Sequence, residues 1–305
     1  MREPVTVACA QVEPVIFDRD ATIEKLGRTV AEAAGNGARL VVLPEAFIPA
    51  YPSSTWAKAL AGWEDDSAKE AFGLLARESV EVPGPAERRL GEIAREHEVW
   101  LVTGVTERDP AHPGTLYNTL LFHSADGELA LKHRKLVPTN HERLVWGPGD
   151  GGGLEAVETP YGRLGGLICW ENYMPLARFA LYESGVELYI ASTADDSELW
   201  QSTLVHIARE SRCFVIAPSH FQRAASYPDD FPLRSLLNGV DVIGRGGSAI
   251  LGPDGSYLAG PLWDEESVLY AELEPSRLDE ARQRFDPTGH YHRPDVLGLE
   301  RRAAQ

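Results

Sequence analysis

Short apolar runs rich in β-branched residues alternate along this chain with segments of helical periodicity, and that alternation restricts the fold more than any other feature. Residues 5–12 are β-branched and small residues bounded by prolines, as expected of a buried strand. The segment 18–34 then spaces Ile23, Leu26, Val30 and Ala33 at helical intervals, with Asp20 near its start and Gly35 and Gly37 at its end. A second apolar run follows at 39–43. Strand, helix and strand within about forty residues predict an α/β layer arrangement.

The pattern continues with a helix over about 85–97, then strands over about 98–104, 116–123, 129–135 and 164–169. A helix over about 174–184 and a strand over 186–191 follow. After a helix over about 196–211 come strands at 213–218, 247–251, 257–259 and 268–273. No composition shift, Ser/Gly linker or low-complexity stretch divides the 305 residues. One domain over 1–305, with a short C-terminal extension from about 285, is therefore expected. The stretch 49–67, rich in Trp, Tyr, Ser and acid, reads as a surface loop and short helix able to line a cleft.

Charge narrows the function. Lys and Arg number 29 against 46 Asp and Glu, a formal charge of -17. A nucleic-acid or anionic-membrane surface wants a positive field, so a small, neutral or buried ligand fits better. Three cysteines, Cys9, Cys169 and Cys213, are too few for a disulfide framework and match no zinc spacing. Near the N-terminus only Val5 to Ala10 are apolar, too short for a signal peptide, and no run approaches a membrane span. The expectation is a soluble cytoplasmic protein.

Two patterns that invite a cofactor do not hold. Gly147, Gly149 and Gly152 spell GxGxxG, but Pro148 sits inside it, and the required preceding strand and following helix are absent from the pattern. The nine histidines fall in no metal-ligand spacing, and His290 and His292 lie two apart. No metal and no cofactor are implied.

Three strand ends carry reactive or charged groups. The run 164–168 ends at Cys169, and Trp170, Glu171, Asn172 and Pro175 form a turn into a helix. A nucleophile on such a turn stands at the carboxyl end of a sheet, where backbone N–H groups favour a thiolate or an oxyanion. A buried structural cysteine is the other reading, and it fits Cys9 and Cys213. A thiol is only a few per cent ionised at neutral pH, so a base or cation must stand nearby. Glu45 closes the run 39–44, where an apolar setting raises a carboxyl pKa toward general-base use; a helix cap or surface acid is the alternative. Lys132, His133, Arg134 and Lys135 close the run from 129, either as a solvated edge or with one cation turned inward.

Glu45 in VVLPEAFIPAYP, Lys135 in KHRKLVPTNHERLVWGPGD and Cys169 in GLICWENYMPL resemble the nitrilase superfamily of C–N hydrolases. The likeness continues through ASTADD, HIARESRCFV, GGSAILGPDGSYLAGP and GHYHRPDVL, and so covers nearly the whole chain. Cys-Trp-Glu, the HRKLxPTxxER stretch and HYxRPDV look like the true nitrilase branch. The resemblance implies a four-layer α-β-β-α sandwich that hydrolyses an organic nitrile to the carboxylic acid and ammonia. It makes Cys169 the nucleophile, Glu45 the general base, Lys135 the stabiliser of the tetrahedral intermediate and Glu142 an auxiliary acid. Tyr51 would face substrate and Trp170 would offer its backbone N–H. A homodimer or higher homo-oligomer is implied. An amidase or N-carbamoyl amide hydrolase on the same fold is the enzymatic alternative, and a binding protein that keeps the fold is the other.

Asn172, where many nitrilases have His, and Gly152 and Gly153, where a loop often carries Ser, bear on substrate preference. Only eight residues follow Leu297, which weighs against long spiral assembly. Trp56, Trp63, Tyr51 and Phe47 favour either an aromatic nitrile or plain packing.

Overall fold

Period-two alternation sends successive residues of each strand into different cores, and two sheets are stacked as a result. The computed structural model describes residues 3–301; residues 1–2 and 302–305 of the expected domain and its extension lie outside the described residues. The strands are β1 (Val5–Gln11), β2 (Leu40–Val42), β3 (Val80–Glu81), β4 (Trp100–Arg108), β5 (Leu116–His123), β6 (Leu129–Arg134) and β7 (Val157–Thr159). They continue as β8 (Gly162–Gly166), β9 (Leu188–Ile190), β10 (Phe214–Ala217), β11 (Phe221–Arg223), β12 (Val242–Leu251), β13 (Tyr257–Trp263) and β14 (Ser267–Leu273). The α-helices are α1 (Arg19–Gly35), α2 (Ser54–Ala57), α3 (Asp66–Glu78), α4 (Pro85–Glu96), α5 (Pro175–Glu183), α6 (Glu198–Ser211) and α7 (Ser276–Arg284).

The first sheet runs β14-β1-β2-β4-β5-β6 with β3 beside β4, and the second runs β11-β12-β10-β9-β8-β7 with β13 beside β12. In the first, β1, β2 and β4 are parallel, and two successive antiparallel pairings turn β6 the same way. In the second, β8, β9 and β10 are parallel. The last strand, β14, returns to the first sheet and pairs along all of β1, with Val5 opposite Leu273 and Gln11 opposite Ser267.

Val7 and Cys9 point with Leu40, Val42 and Phe122 into a core shared with Leu188, Ile190, Phe214 and Ile216 of the second sheet. Ala8, Ala10, Val41 and Leu43 face the opposite way, against Ile23, Leu26 and Val30 of α1 and Leu90 and Ile93 of α4. Behind the second sheet, Tyr189, Val215 and Ala217 meet Leu181 of α5 and Leu204 and Ile207 of α6. The layers are therefore helix, sheet, sheet, helix.

Several elements differ from the sequence pattern. The cap of α1 is Asp18, whose carboxylate accepts the Ala21 N–H, rather than Asp20, and the helix ends at Asn36 with Gly37 at φ 89°. The helix α3 goes unseen in the pattern because it opens inside the acidic stretch, where Asp65 accepts the N–H groups of Ser67 and Ala68. The charged surface helix α7 is likewise unmarked by apolar periodicity. The strands β4, β12 and β13 run longer than expected. Cys9 and Cys213 are buried, as their structural reading requires. Among the described residues no helix is long and apolar enough to cross a membrane.

Candidate active site

Since β2, β4 and β6 point one way, their carboxyl ends share an edge of the first sheet; those of β8, β9 and β10 share an edge of the second. The chain leaves β2 through Leu43 and Pro44 to Glu45, leaves β6 directly into Lys135, and leaves β8 through Leu167 and Ile168 to Cys169. The backbone turns sharply at two of these exits: Cys169 has φ 51° and Ala46, after Glu45, has φ 42°, a region non-glycine residues seldom adopt. Gly104 of β4 makes room for the first turn, since a Cβ there would lie 2.2 Å from Pro44 O and 2.5 Å from Glu45 Cα.

These exits bring four side chains together. The Lys135 ammonium donates to Glu45 Oε1 at 3.2 Å and to Glu142 Oε2 at 2.7 Å. Glu45 also accepts Asn118 Nδ2 at 2.8 Å on Oε1 and the Ala194 N–H at 2.8 Å on Oε2. Tyr51 donates its hydroxyl to Glu142 Oε1 at 2.7 Å, and the Thr139 N–H reaches Oε2 at 2.6 Å. The Cys169 sulfur accepts the Thr193 hydroxyl at 3.1 Å, and Glu45 lies near enough for its charge to act on the thiol. The Cys169 N–H goes to Ser192 O at 2.7 Å, and Ser192 Oγ reaches across the sheets to Leu43 O at 3.0 Å. Glu45, Lys135, Glu142 and Cys169 are all buried.

The charges explain the protonation states. Burial pushes the Glu45 carboxyl up, Lys135 pulls it back and Glu142 adds to the rise. Burial works against the Lys135 charge, but Glu45 and Glu142 outweigh it and hold the ammonium. Burial and then Glu45 push the Cys169 thiol well up, so no standing thiolate is present. To act as a nucleophile the sulfur would have to pass its proton to a base, and Glu45 is the candidate for that role. A protonated Glu45 cannot accept it, and its raised pKa moves that loss to higher pH. The acid limb of a kcat/KM profile should therefore lie above the ordinary glutamate value of about 4.3. A limb at or below that value would contradict the assignment.

The matching family model describes a carbon-nitrogen hydrolase and spans residues 6–283. The chain belongs to the carbon-nitrogen hydrolases. It is 42% identical over 302 residues to the bifunctional nitrilase/nitrile hydratase NIT4A of Lupinus angustifolius, covering 97% of this chain and 85% of that one. It is 43% identical over 292 residues to an aliphatic nitrilase of Sinorhizobium fredii, covering 96% and 94%. A carbon-nitrogen hydrolase of Helicobacter pylori G27 has the same fold, with a TM-score of 0.74 at 22% identity, covering 96% and 97%.

In this carbon-nitrogen hydrolase the structure brings together Glu45, Lys135, Glu142, Cys169 and Tyr51. It does not bring the Trp170 side chain with them. That indole is half exposed and donates to Asp195 at 2.7 Å, which leaves only the Trp170 main chain beside the sulfur. Phe47 and Trp56 are core residues and Trp63 is 87% exposed, so packing accounts for the first two. Asn172 is buried and its amide donates to Leu167 O and Cys169 O, bracing the turn. Gly153 packs on the His133 backbone, where a Cβ would come within 2.5 Å of His133 Cα. Both residues thus have structural duties.

The sequence pattern missed Asn118, Thr193, Ala194 and His220. Asn118 had a signal, a lone amide in the apolar run of β5. His220 is wholly buried, which lowers its pKa to about 4, and its neutral Nε2–H donates to the Glu45 carbonyl.

Proposed function

We propose that this chain hydrolyses organic nitriles to carboxylic acid and ammonia through a covalent intermediate on Cys169. The observation that carries the reading is the convergence of a buried thiol, carboxylate and ammonium from two sheets, in a chain over 40% identical to proteins named as nitrilases. Glu45 takes the Cys169 proton as sulfur attacks the nitrile carbon, then delivers it to nitrogen, giving a thioimidate. Water attacks next and gives its proton to Glu45. The tetrahedral intermediate, beside the Lys135 ammonium, expels ammonia and leaves a thioester. A second water releases the acid and restores the thiol. Glu142 holds Lys135 in place, and Tyr51 holds Glu142.

If the tetrahedral intermediate expels sulfur instead of nitrogen, the product is an amide. Phenylacetonitrile, benzonitrile and a dinitrile, each run beside its amide, should release ammonia from at least one nitrile, with acid and amide both quantified. Turnover of amides alone would replace this reading with an amidase.

The proposal treats the chain as one unit around the site, with a C-terminal extension from about 285; the core shared by both sheets supports it. It also includes at least a homodimer and a cytoplasmic location. Leu176 of α5 and Leu199 of α6 are 69% and 79% exposed and offer apolar surface to a second copy. A light-scattering mass of one protomer would remove that part. The three free cysteines suit a reducing compartment.

A further inference from the structure

One buried carboxylate takes no part in the proton transfers above, yet it touches the backbone on both sides of the site. Glu171 lies in the 3₁₀ turn Cys169–Tyr173 and is 2% exposed. Its Oε1 accepts the Leu136 N–H at 2.8 Å. Its Oε2 accepts the Ile168 N–H at 2.9 Å and His133 Nε2 at 2.8 Å. Leu136 directly follows Lys135, and Ile168 directly precedes Cys169. His133 stands two residues before Lys135, so alternation along β6 turns both to the same side.

Burial alone would push the Glu171 carboxyl up, but His133 and the two N–H groups hold it below the ordinary range. An ionised carboxylate accepts only, which fixes all three partners as donors. The exit of β2 is tied to the second sheet by Ser192 and Ala194. The exit of β6 is tied to it by Glu171.

We propose that Glu171 is a positioning residue that sets the distance between the Lys135 ammonium and the Cys169 sulfur by clamping the Leu136 and Ile168 amides, with His133 orienting it. The inference rests on the reading that Lys135 and Cys169 act on one tetrahedral intermediate. A small displacement of one group against the other then changes both the rate and which atom departs. Displacements of about 1 Å cost on the order of 10²-fold in rate.

Glu171→Gln keeps the size but presents an NH₂ where one of the accepting oxygens was, so one amide N–H faces a donor. At a temperature well below its melting transition, with folded fraction measured by circular dichroism, this variant should lose roughly 10²-fold in kcat. KM should stay within about threefold, and the acid to amide ratio should shift. His133→Leu removes the orienting donor and should lose about tenfold with the same direction of ratio shift; His133→Gln, which restores a donor, should recover part of it.

A kcat and product ratio within twofold of the parent in Glu171→Gln would overturn the proposal, as would a loss matching the unfolded fraction with the ratio unmoved. Should Glu171→Gln fail to fold, His133→Leu decides, and an unchanged kcat and ratio there overturns it. The parent is assayed on a nitrile and its amide in parallel. Turnover of the amide alone would sink the nitrile reading, and the clamp would still be judged by kcat on the amide.

Discussion

Replacing Cys169 by alanine is expected to remove turnover while leaving the fold in place. No other described side chain at the junction of the sheets is a comparable nucleophile: Glu45 and Glu142 are both bonded to Lys135, and Thr193 spends its hydroxyl on the sulfur. Loss of a covalent nucleophile costs at least about 10⁴-fold, because binding and oxyanion contacts alone supply only a small residue of the rate. Stability should move little. The change deletes one small atom and one hydrogen bond, worth about 1 kcal/mol, and leaves the Cys169 backbone bond to Ser192 intact. Steady-state ammonia release and a thermal melt read the two effects. Mass spectrometry of quenched reactions should find an acyl adduct on the parent and none on the variant. Hydrolysis within tenfold of the parent by Cys169→Ala would dismantle the assignment of every group around it.

Lys135→Met should damage both stability and rate. The ammonium is held by two buried carboxylates, Glu45 and Glu142, and methionine of similar length leaves them facing one another without a cation. Removing one partner of a buried ion pair costs about 3–5 kcal/mol. The sign with pH follows from linkage. Without the ammonium the pair binds a proton more tightly folded than unfolded, so the destabilisation grows as pH rises through the carboxyl range and shrinks at acid pH. A pH-independent loss in urea unfolding would contradict this. Turnover should fall by about 10² to 10³-fold, the scale for losing a group aimed at transition-state charge.

The parts of the site legible in the sequence are those that interrupt a local pattern. Glu45 and Cys169 each end an apolar run, and the run's own length places them at a sheet edge. Lys135 needed the resemblance, because four cationic or imidazole residues stand together there. The structure separates them: Lys132 and Arg134 pair with Glu107, His133 with Glu171 and Lys135 with the site. Alternation accounts for that sorting once one residue is placed. The supporting groups were hidden because they act across long chain separations through single bonds. Ala194 offers only a backbone N–H, which carries no residue signature, and His220 reaches the Glu45 carbonyl from the exit of β10. The layers were legible for the same reason as Glu45, since β1 and β9 are continuous apolar runs and are buried on both faces. The helix α3 was not, because an acidic N-cap in a polar stretch resembles a loop until its backbone bonds are seen.

The outer neighbour of β1 in the first sheet is β14, the last strand among the described residues. A ribosome adding about 5–20 residues per second delivers β14 roughly 13 to 54 seconds after β1. Throughout that interval the outer edge of Val5–Gln11, an almost uninterrupted apolar strand, has no neighbour of its own chain. Nascent chains of this protein should therefore be holdase clients until translation is nearly finished, and synthesis stalled before Ser267 should yield aggregates rather than a dormant enzyme.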